Sequence, residues 1–159
     1  MEDAGARVAL AECCGSTAWI DAMVIRRPFS SGRELMETAQ EISESLTAGD
    51  WREAFASHPQ IGARRIEGER LHSPWSRNEQ AGMEDAADAT RQAISDGNRK
   101  YREKFGYIYI VCATGKSSDE MLAILTERLR NDASTEIRIA AAEQRKITML
   151  RLEKMLAEG

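Results

Sequence analysis

Tyr107-Ile108-Tyr109-Ile110-Val111-Cys112-Ala113 is the run that decides the fold class. It is β-branched and aromatic almost throughout, and no other stretch of the 159 residues has strand character. A lone strand has no partner to take up its backbone hydrogen bonds. The run is therefore expected as a buried extended segment or a helix start, not as part of a sheet. The chain on both sides reads as helix. The expected class is all-α: a single compact domain, residues 1–159, of about seven to eight helices with one long irregular loop.

Immediately before the run, Asn98, Tyr101 and Phe105 share a helical face, and Gly106 ends their helix. That helix is expected from Arg77 to Lys104, with Gly97 a point of interruption. Immediately after it, Gly115-Lys116-Ser117 has the ending of a phosphate loop. The loop's first glycine would fall where Ile110 stands, so bare backbone cannot approach a phosphate there. Ser117-x-x-Glu120 instead forms a capping box that opens a helix with Met121, Leu122, Leu125 and Leu129 inward. The last helix is expected from near Ser134 to about Ala157, with Ile137, Ala141, Ile147, Thr148 and Met155 on one face. Arg151 falls on that face as well.

Toward the N-terminus, a helix over Ala4 to Cys14 stops at Gly15. Ser16 then caps a second helix carrying Trp19, Ile20, Met23 and Val24, closed by Arg27-Pro28-Phe29. A third, from Ser31 to Thr47, presents Leu35, Ala39, Ile42 and Leu46, and Gly49 terminates it. Asp50, with Glu53 three residues on, caps a short fourth helix whose apolar face is Trp51, Ala54 and Phe55. His58 occupies the next position of that face, and Pro59 breaks the helix.

Between the polar clusters Ser57-His58-Pro59-Gln60-Ile61-Gly62 and Ser76-Arg77-Asn78-Glu79-Gln80 lies Ala63 to Trp75, a charged stretch without helical or strand period. A long irregular segment inside a domain is often functional. A histidine titrates near neutral pH and works with an orienting carboxylate, which makes His58 and Glu79 candidates for acid/base chemistry. Each has a plainer reading. His58 can be a satisfied core residue at the end of an apolar stripe. Ser76-x-x-Glu79, ahead of an alanine-rich run, is a capping-box signature. Capping and catalysis are compatible, because a helix N-terminus also welcomes an anion. Arg151 on a core face needs an anion or a snorkelling path. Its alternatives are a structural pair with a buried acid or a fork for a substrate carboxylate.

The bulk properties narrow the function classes. Formal net charge is −4 with basic residues scattered among acids, so no nucleic-acid footprint is present. No signal peptide or membrane span is expected, and Ala157-Glu158-Gly159 is not a peroxisomal address. Three cysteines, two of them adjacent (Cys13 and Cys14), make a poor disulfide framework and read as reduced thiols of a cytoplasmic protein. No Cys/His pair has zinc-ligand spacing and no nucleophile elbow occurs, so neither a metal nor another cofactor is expected.

Five motifs taken together resemble one family. They are His58-Pro59-x-Ile61-Gly62, Ser76-x-x-Glu79-Gln80, Asn98-x-x-Tyr101-x-x-Lys104-Phe105-Gly106, Glu127-Arg128-Leu129-x-Asn131 and Lys146-Ile147-x-x-Leu150-Arg151-Leu152. The combination is similar to the OHCU decarboxylases, which act on 2-oxo-4-hydroxy-4-carboxy-5-ureidoimidazoline, the last intermediate between urate and (S)-allantoin. Cys13-Cys14-Gly15-Ser16, Trp19, Arg27-Pro28-Phe29 and Asp50-Trp51-x-x-Ala54-Phe55 extend the likeness toward the N-terminus. The resemblance implies an all-α fold and cofactor-independent decarboxylation of a ureidoimidazoline. Carried over position by position, it makes His58 the acid/base, Glu79 its acidic partner and Arg151 the third catalytic residue. It makes Pro59, Ser76, Arg77, Asn78, Glu79, Gln80, Tyr109, Ile110, Val111, Cys112 and Ala113 the substrate lining. Arg64, Arg65 and His72 receive no role, and the oligomeric state is left open, with a homodimer among the options. The rival readings are a helical interaction module with a polar core, and a hydrolase or isomerase acting on a related ureide.

Overall fold

The computed structural model describes residues 2–58 and 88–158, which carry seven helices and no strand. In order these are α1 (Asp3–Cys13), α2 (Thr17–Ile25), α3 (Gly32–Glu44), α4 (Ala48–Ala56), α5 (Asp88–Phe105), α6 (Ser118–Arg128) and α7 (Ala133–Glu158). The all-α class expected from the sequence is the one observed. No helix among the described residues is long and apolar enough to cross a membrane.

Short polar side chains set the helix starts by accepting from backbone N–H groups that have no partner within the helix. Ser16 accepts from Trp19 N at 3.3 Å, Ser31 from Glu34 N at 3.1 Å and Ser117 from Glu120 N at 3.1 Å. Asp132 Oδ1 takes Thr135 N at 2.7 Å at the head of α7. The cap of α4 differs from expectation. Thr47 accepts from Asp50 N at 3.2 Å, and Asp50 returns the favour to Thr47 N at 3.0 Å. Glu53 is thereby released to cross to α2, where it accepts from Thr17 N at 2.6 Å and Thr17 Oγ1 at 2.8 Å.

The chain divides into two compact units, Met1–Ser57 with Ala141–Gly159, and His58–Ala140. In the first, α2 packs against α1, α3 and α4. Leu10, Cys13, Trp19, Met23, Ala39, Ala54, Phe55, Ile147 and Leu152 are buried in it. Its outer ion pairs, Arg7–Asp21 and Arg27–Asp3, are exposed and contribute little, on the order of 0–1 kcal/mol each.

In the second unit α5 lies against α6. Gly97 does not interrupt α5. A Cβ there would stand 2.6 Å from Leu125 Cδ2, so glycine is what lets the two helices approach. After Gly106, whose φ of +84° suits glycine, residues 108–113 are neither helix nor strand, and among the described residues they pair into no sheet, as the sequence implied. Tyr101 gathers Phe105, Tyr107 and Tyr109 around it at centroid distances of 4.6, 5.8 and 5.6 Å.

The buried line of α7 is offset from the apolar stripe read in the sequence. Glu136, Ala140, Gln144, Ile147, Thr148, Arg151 and Leu152 are buried, while Ile137, Ala141 and Met155 sit at its edges. Four of those seven side chains, Glu136, Gln144, Thr148 and Arg151, are polar or charged, which is why apolar periodicity alone misplaced the line. The irregular stretch Ala63 to Trp75 and the Ser76-x-x-Glu79 box lie outside the described residues.

Candidate active site

Arg151 projects from α7 within the first unit and is 6% exposed, a buried cation as its position on the helix implied. Its Nη1 donates to the Glu12 carbonyl at 3.3 Å, at the C-terminal end of α1, where carbonyl groups lacking helical partners favour a cation. The residues that follow, Cys13-Cys14-Gly15-Ser16, form the turn from α1 into α2. Burial pushes the Cys13 thiol up to about 12, against the opposing pull of the Arg151 charge. Cys14 is raised by burial too, although hydrogen bonds with Ser16 and Thr148 and the Arg151 charge draw it back. Both stay neutral thiols at physiological pH, small apolar neighbours of the guanidinium rather than nucleophiles. Thr148 is itself fixed by Gln144, which it meets through Nε2 at 3.1 Å and the main-chain carbonyl at 3.0 Å.

His58 belongs to the second unit. It comes two residues past α4 and is half-buried, short of the full inward turn expected from its helical position. Ser57, which precedes it, caps α4 by donating its hydroxyl to the Ala54 carbonyl at 2.7 Å. Pro59, Ser76, Arg77, Asn78, Glu79 and Gln80 lie outside the described residues.

Tyr109, Ile110, Val111, Cys112 and Ala113 are all buried in the second unit. Several groups of this stretch have assigned partners. Tyr109 donates its hydroxyl to the Met121 carbonyl at 3.1 Å. Lys116 Nζ reaches the Cys112 carbonyl at 2.8 Å, and the Ile110 carbonyl takes Arg128 Nη1 at 2.6 Å.

That last contact leads to a cluster to which the sequence assigned no role. Arg128 and Glu136 form an ion pair at 2.6 Å with both side chains almost fully buried. Tyr101 donates its hydroxyl to the same carboxylate, and Asn131 Nδ2 adds a hydrogen bond at 3.2 Å. Burial works against the Arg128 charge, and the Glu136 carboxylate more than offsets it, so the guanidinium is held firmly protonated. Burial, and donation to Glu136, keep the Tyr101 phenol far from ionising. The signal was present in Glu127-Arg128-Leu129-x-Asn131, but its partner Glu136 sits in a different helix and carries no motif of its own.

The chain matches the family model described as OHCU decarboxylase over residues 1–153. It is 36% identical over 151 residues to the uric acid degradation bifunctional protein TTL of Arabidopsis thaliana, which covers 92% of this chain but 46% of that protein. It thus spans less than half the length of that relative. It is 33% identical over 134 residues to the 2-oxo-4-hydroxy-4-carboxy-5-ureidoimidazoline decarboxylase of Amia calva, covering 82% of this chain and 75% of the other. A solved OHCU decarboxylase, crystallised in the presence of (S)-allantoin, superposes with a TM-score of 0.82 at 34% identity, covering 99% of both chains.

Proposed function

From the premise that the chain belongs to the OHCU decarboxylase family, we propose that it converts 2-oxo-4-hydroxy-4-carboxy-5-ureidoimidazoline to (S)-allantoin, the last step of urate oxidation to allantoin. The observation that carries this reading is the full-length likeness, in sequence and fold, to an OHCU decarboxylase crystallised with (S)-allantoin. The enzyme is a carboxy-lyase. Residues 1–159 act as one catalytic domain, which the family match over 1–153 supports. Cys13, Cys14 and Cys112 are buried and none is in a disulfide, in keeping with a cytoplasmic setting.

The chemistry asks little beyond placed side chains. The bond from the ring carbon to its carboxylate breaks, carbon dioxide leaves, and the electron pair passes into the adjacent ring imine. The imine nitrogen takes up a proton, and the hydroxyl on the decarboxylated carbon gives up its own as that carbon becomes the ring carbonyl. The adjacent ureido-bearing carbon takes a proton on one face only, which fixes the (S) configuration. Such a step depends on fixed donors and a shielded site. In this reading His58 is the acid/base that delivers the proton and Glu79 is the carboxylate that orients it. Arg151 holds the oxygens of the substrate, and its burial on a long helix suits that task, because a planar fork fixed in direction recognises a carboxylate. Pro59, Ser76 to Gln80 and Tyr109 to Ala113 line the ring. No metal or other cofactor is called on, since the imine is itself the electron sink.

The test is to generate the substrate in situ from urate, add the purified protein, and follow carbon dioxide release together with chiral allantoin by circular dichroism. Accelerated release with a growing (S) signal supports the reading. Acceleration without carbon dioxide release points to a hydrolase or isomerase of a related ureide, and no acceleration to a helical interaction module.

A further inference from the structure

The Tyr109–Ala113 segment poses a mechanical problem. It is buried and neither helix nor strand, and among the described residues no ladder of backbone hydrogen bonds fixes where it lies. A segment of that kind must be held by side chains. The residue best placed to do so is Arg128. Its Nη1 donates to the Ile110 carbonyl at 2.6 Å, and its guanidinium lies 4.9 Å from the Tyr109 ring centroid. Two turns earlier on the same helix, the Met121 carbonyl receives the Tyr109 hydroxyl. Helix α6 therefore grips neighbouring residues of the segment through both ends of one face.

Arg128 is itself held from three directions. Nε donates to the Glu136 carboxylate at 3.2 and 2.9 Å, and Nη2 donates to it at 2.6 Å. Nη2 also reaches the Tyr101 hydroxyl at 3.4 Å, and Asn131 and Tyr101 fill the remaining positions on the carboxylate. The Glu136 side chain is fully buried and Arg128 nearly so. Stability does not require such a pair, because well-packed hydrophobic replacements for buried ion pairs are often as stable or more so. What a fork clamped on a carboxylate gives is direction: its remaining N–H can point only one way.

We propose that Arg128, locked by Glu136, is a positioning residue of the reaction: it fixes the Ile110 carbonyl, and with it the Tyr109–Ala113 segment, in the single arrangement that presents the segment's backbone to the substrate. The inference rests on the reading that this segment lines the substrate. Arg128 touches neither substrate nor reacting atoms. It acts through the segment alone.

Two variants and two readouts test it. Arg128→Lys keeps a cation for Glu136, but a point charge cannot serve the carboxylate and the Ile110 carbonyl together. Arg128→Met combined with Glu136→Leu removes both charges and fills the space. In each folded variant, amide hydrogen exchange should quicken at residues 109–113 relative to α5 and α6. With it, kcat/KM should fall about 10- to 100-fold, mainly in kcat, because misplacing a lining group by about 1 Å costs that much. The enantiomeric purity of the allantoin should fall too. A purely structural pair would lower the melting temperature and leave kcat, product purity and local exchange of the folded protein unchanged. That result would overturn the proposal. So would failure of both variants to fold, which would make the pair a structural necessity. If the wild-type protein makes no (S)-allantoin, the functional reading fails separately, and the exchange measurement still decides whether Arg128 holds the segment.

Discussion

A Cβ placed on Gly15 would stand 2.5 Å from both Cβ and Oγ of Ser57, the residue that hands the chain from α4 to His58. Real Cβ atoms do not approach so closely, and Ser57 Cβ is not the loose end of a flexible side chain. The absence of a side chain at Gly15 thus allows the turn between α1 and α2 to lie against the end of α4. Gly15→Ala must push Ser57 aside, disturbing its 2.7 Å bond to the Ala54 carbonyl. Overpacking of this sort costs about 1–3 kcal/mol. Urea unfolding should show that loss, and kcat should drop more than tenfold in the protein that remains folded, because His58 moves with its neighbour. Ser57→Gly in the same chain should restore both. Wild-type stability and kcat in Gly15→Ala would mean the turn has room to spare.

Cys13 gives a pH prediction. Its thiol titrates near 12 when folded against an ordinary value of 9.0, through burial. Between those values the unfolded chain has lost a proton that the folded one still binds. The slope of stability with pH is then negative, and stability falls from about pH 9 upward. Cys13→Ala should flatten that fall when denaturation is followed from pH 8 to 11. An unchanged slope would mean that the Cys13 thiol does not contribute to it.

The sequence disclosed some of this by local chemistry alone. Ser16 and the Ser117-Glu120 box were legible because a cap and its N–H lie three residues apart. Residues 107–113 were placed by asking where the partners of a lone strand could be. Thr47 was missed because Asp50-x-x-Glu53 offered the same pattern three residues later. What settled the choice was Glu53's bond to Thr17, a tertiary contact. Gly97 looked like a helix breaker because Leu125, which needs it small, is 28 positions away. On α7, apolar spacing predicted burial of Ile137, Ala141 and Met155, whereas Glu136, Gln144 and Arg151 sit deeper. Polar residues in a core declare themselves only through partners on other helices. The burial of Arg151 was legible, and that of Glu136, together with the clamp it forms with Arg128, was not.

Glu79 is expected to do more than start a helix. Glutamine serves equally well in a capping box. Glu79→Gln should therefore fold normally, and kcat/KM should still drop by well over tenfold, within the roughly 10²–10⁴ range of acid–base catalysis. A fully active Gln variant would return Glu79 to a capping role.

Arg151 is expected to act through the charge of the substrate. Arg151→Lys keeps the charge and loses the fork, so KM should rise steeply with the fold intact. Arg151→Met removes a buried cation, should abolish turnover, and is expected to hold or raise the melting temperature. Undiminished activity in the Met variant would leave Arg151 with packing alone.

The most direct test of the account is the handedness of the product made by His58→Asn. Asparagine roughly keeps the size and a hydrogen-bonding edge of histidine but cannot relay a proton near neutral pH. The substrate decays unaided, so total allantoin is a poor readout and the optical signal of newly formed allantoin is the one to follow. The account predicts a folded variant whose product is racemic and appears at the background rate. Enantiomerically pure (S)-allantoin formed at the wild-type rate would show that the proton comes from elsewhere, and would contradict the central claim.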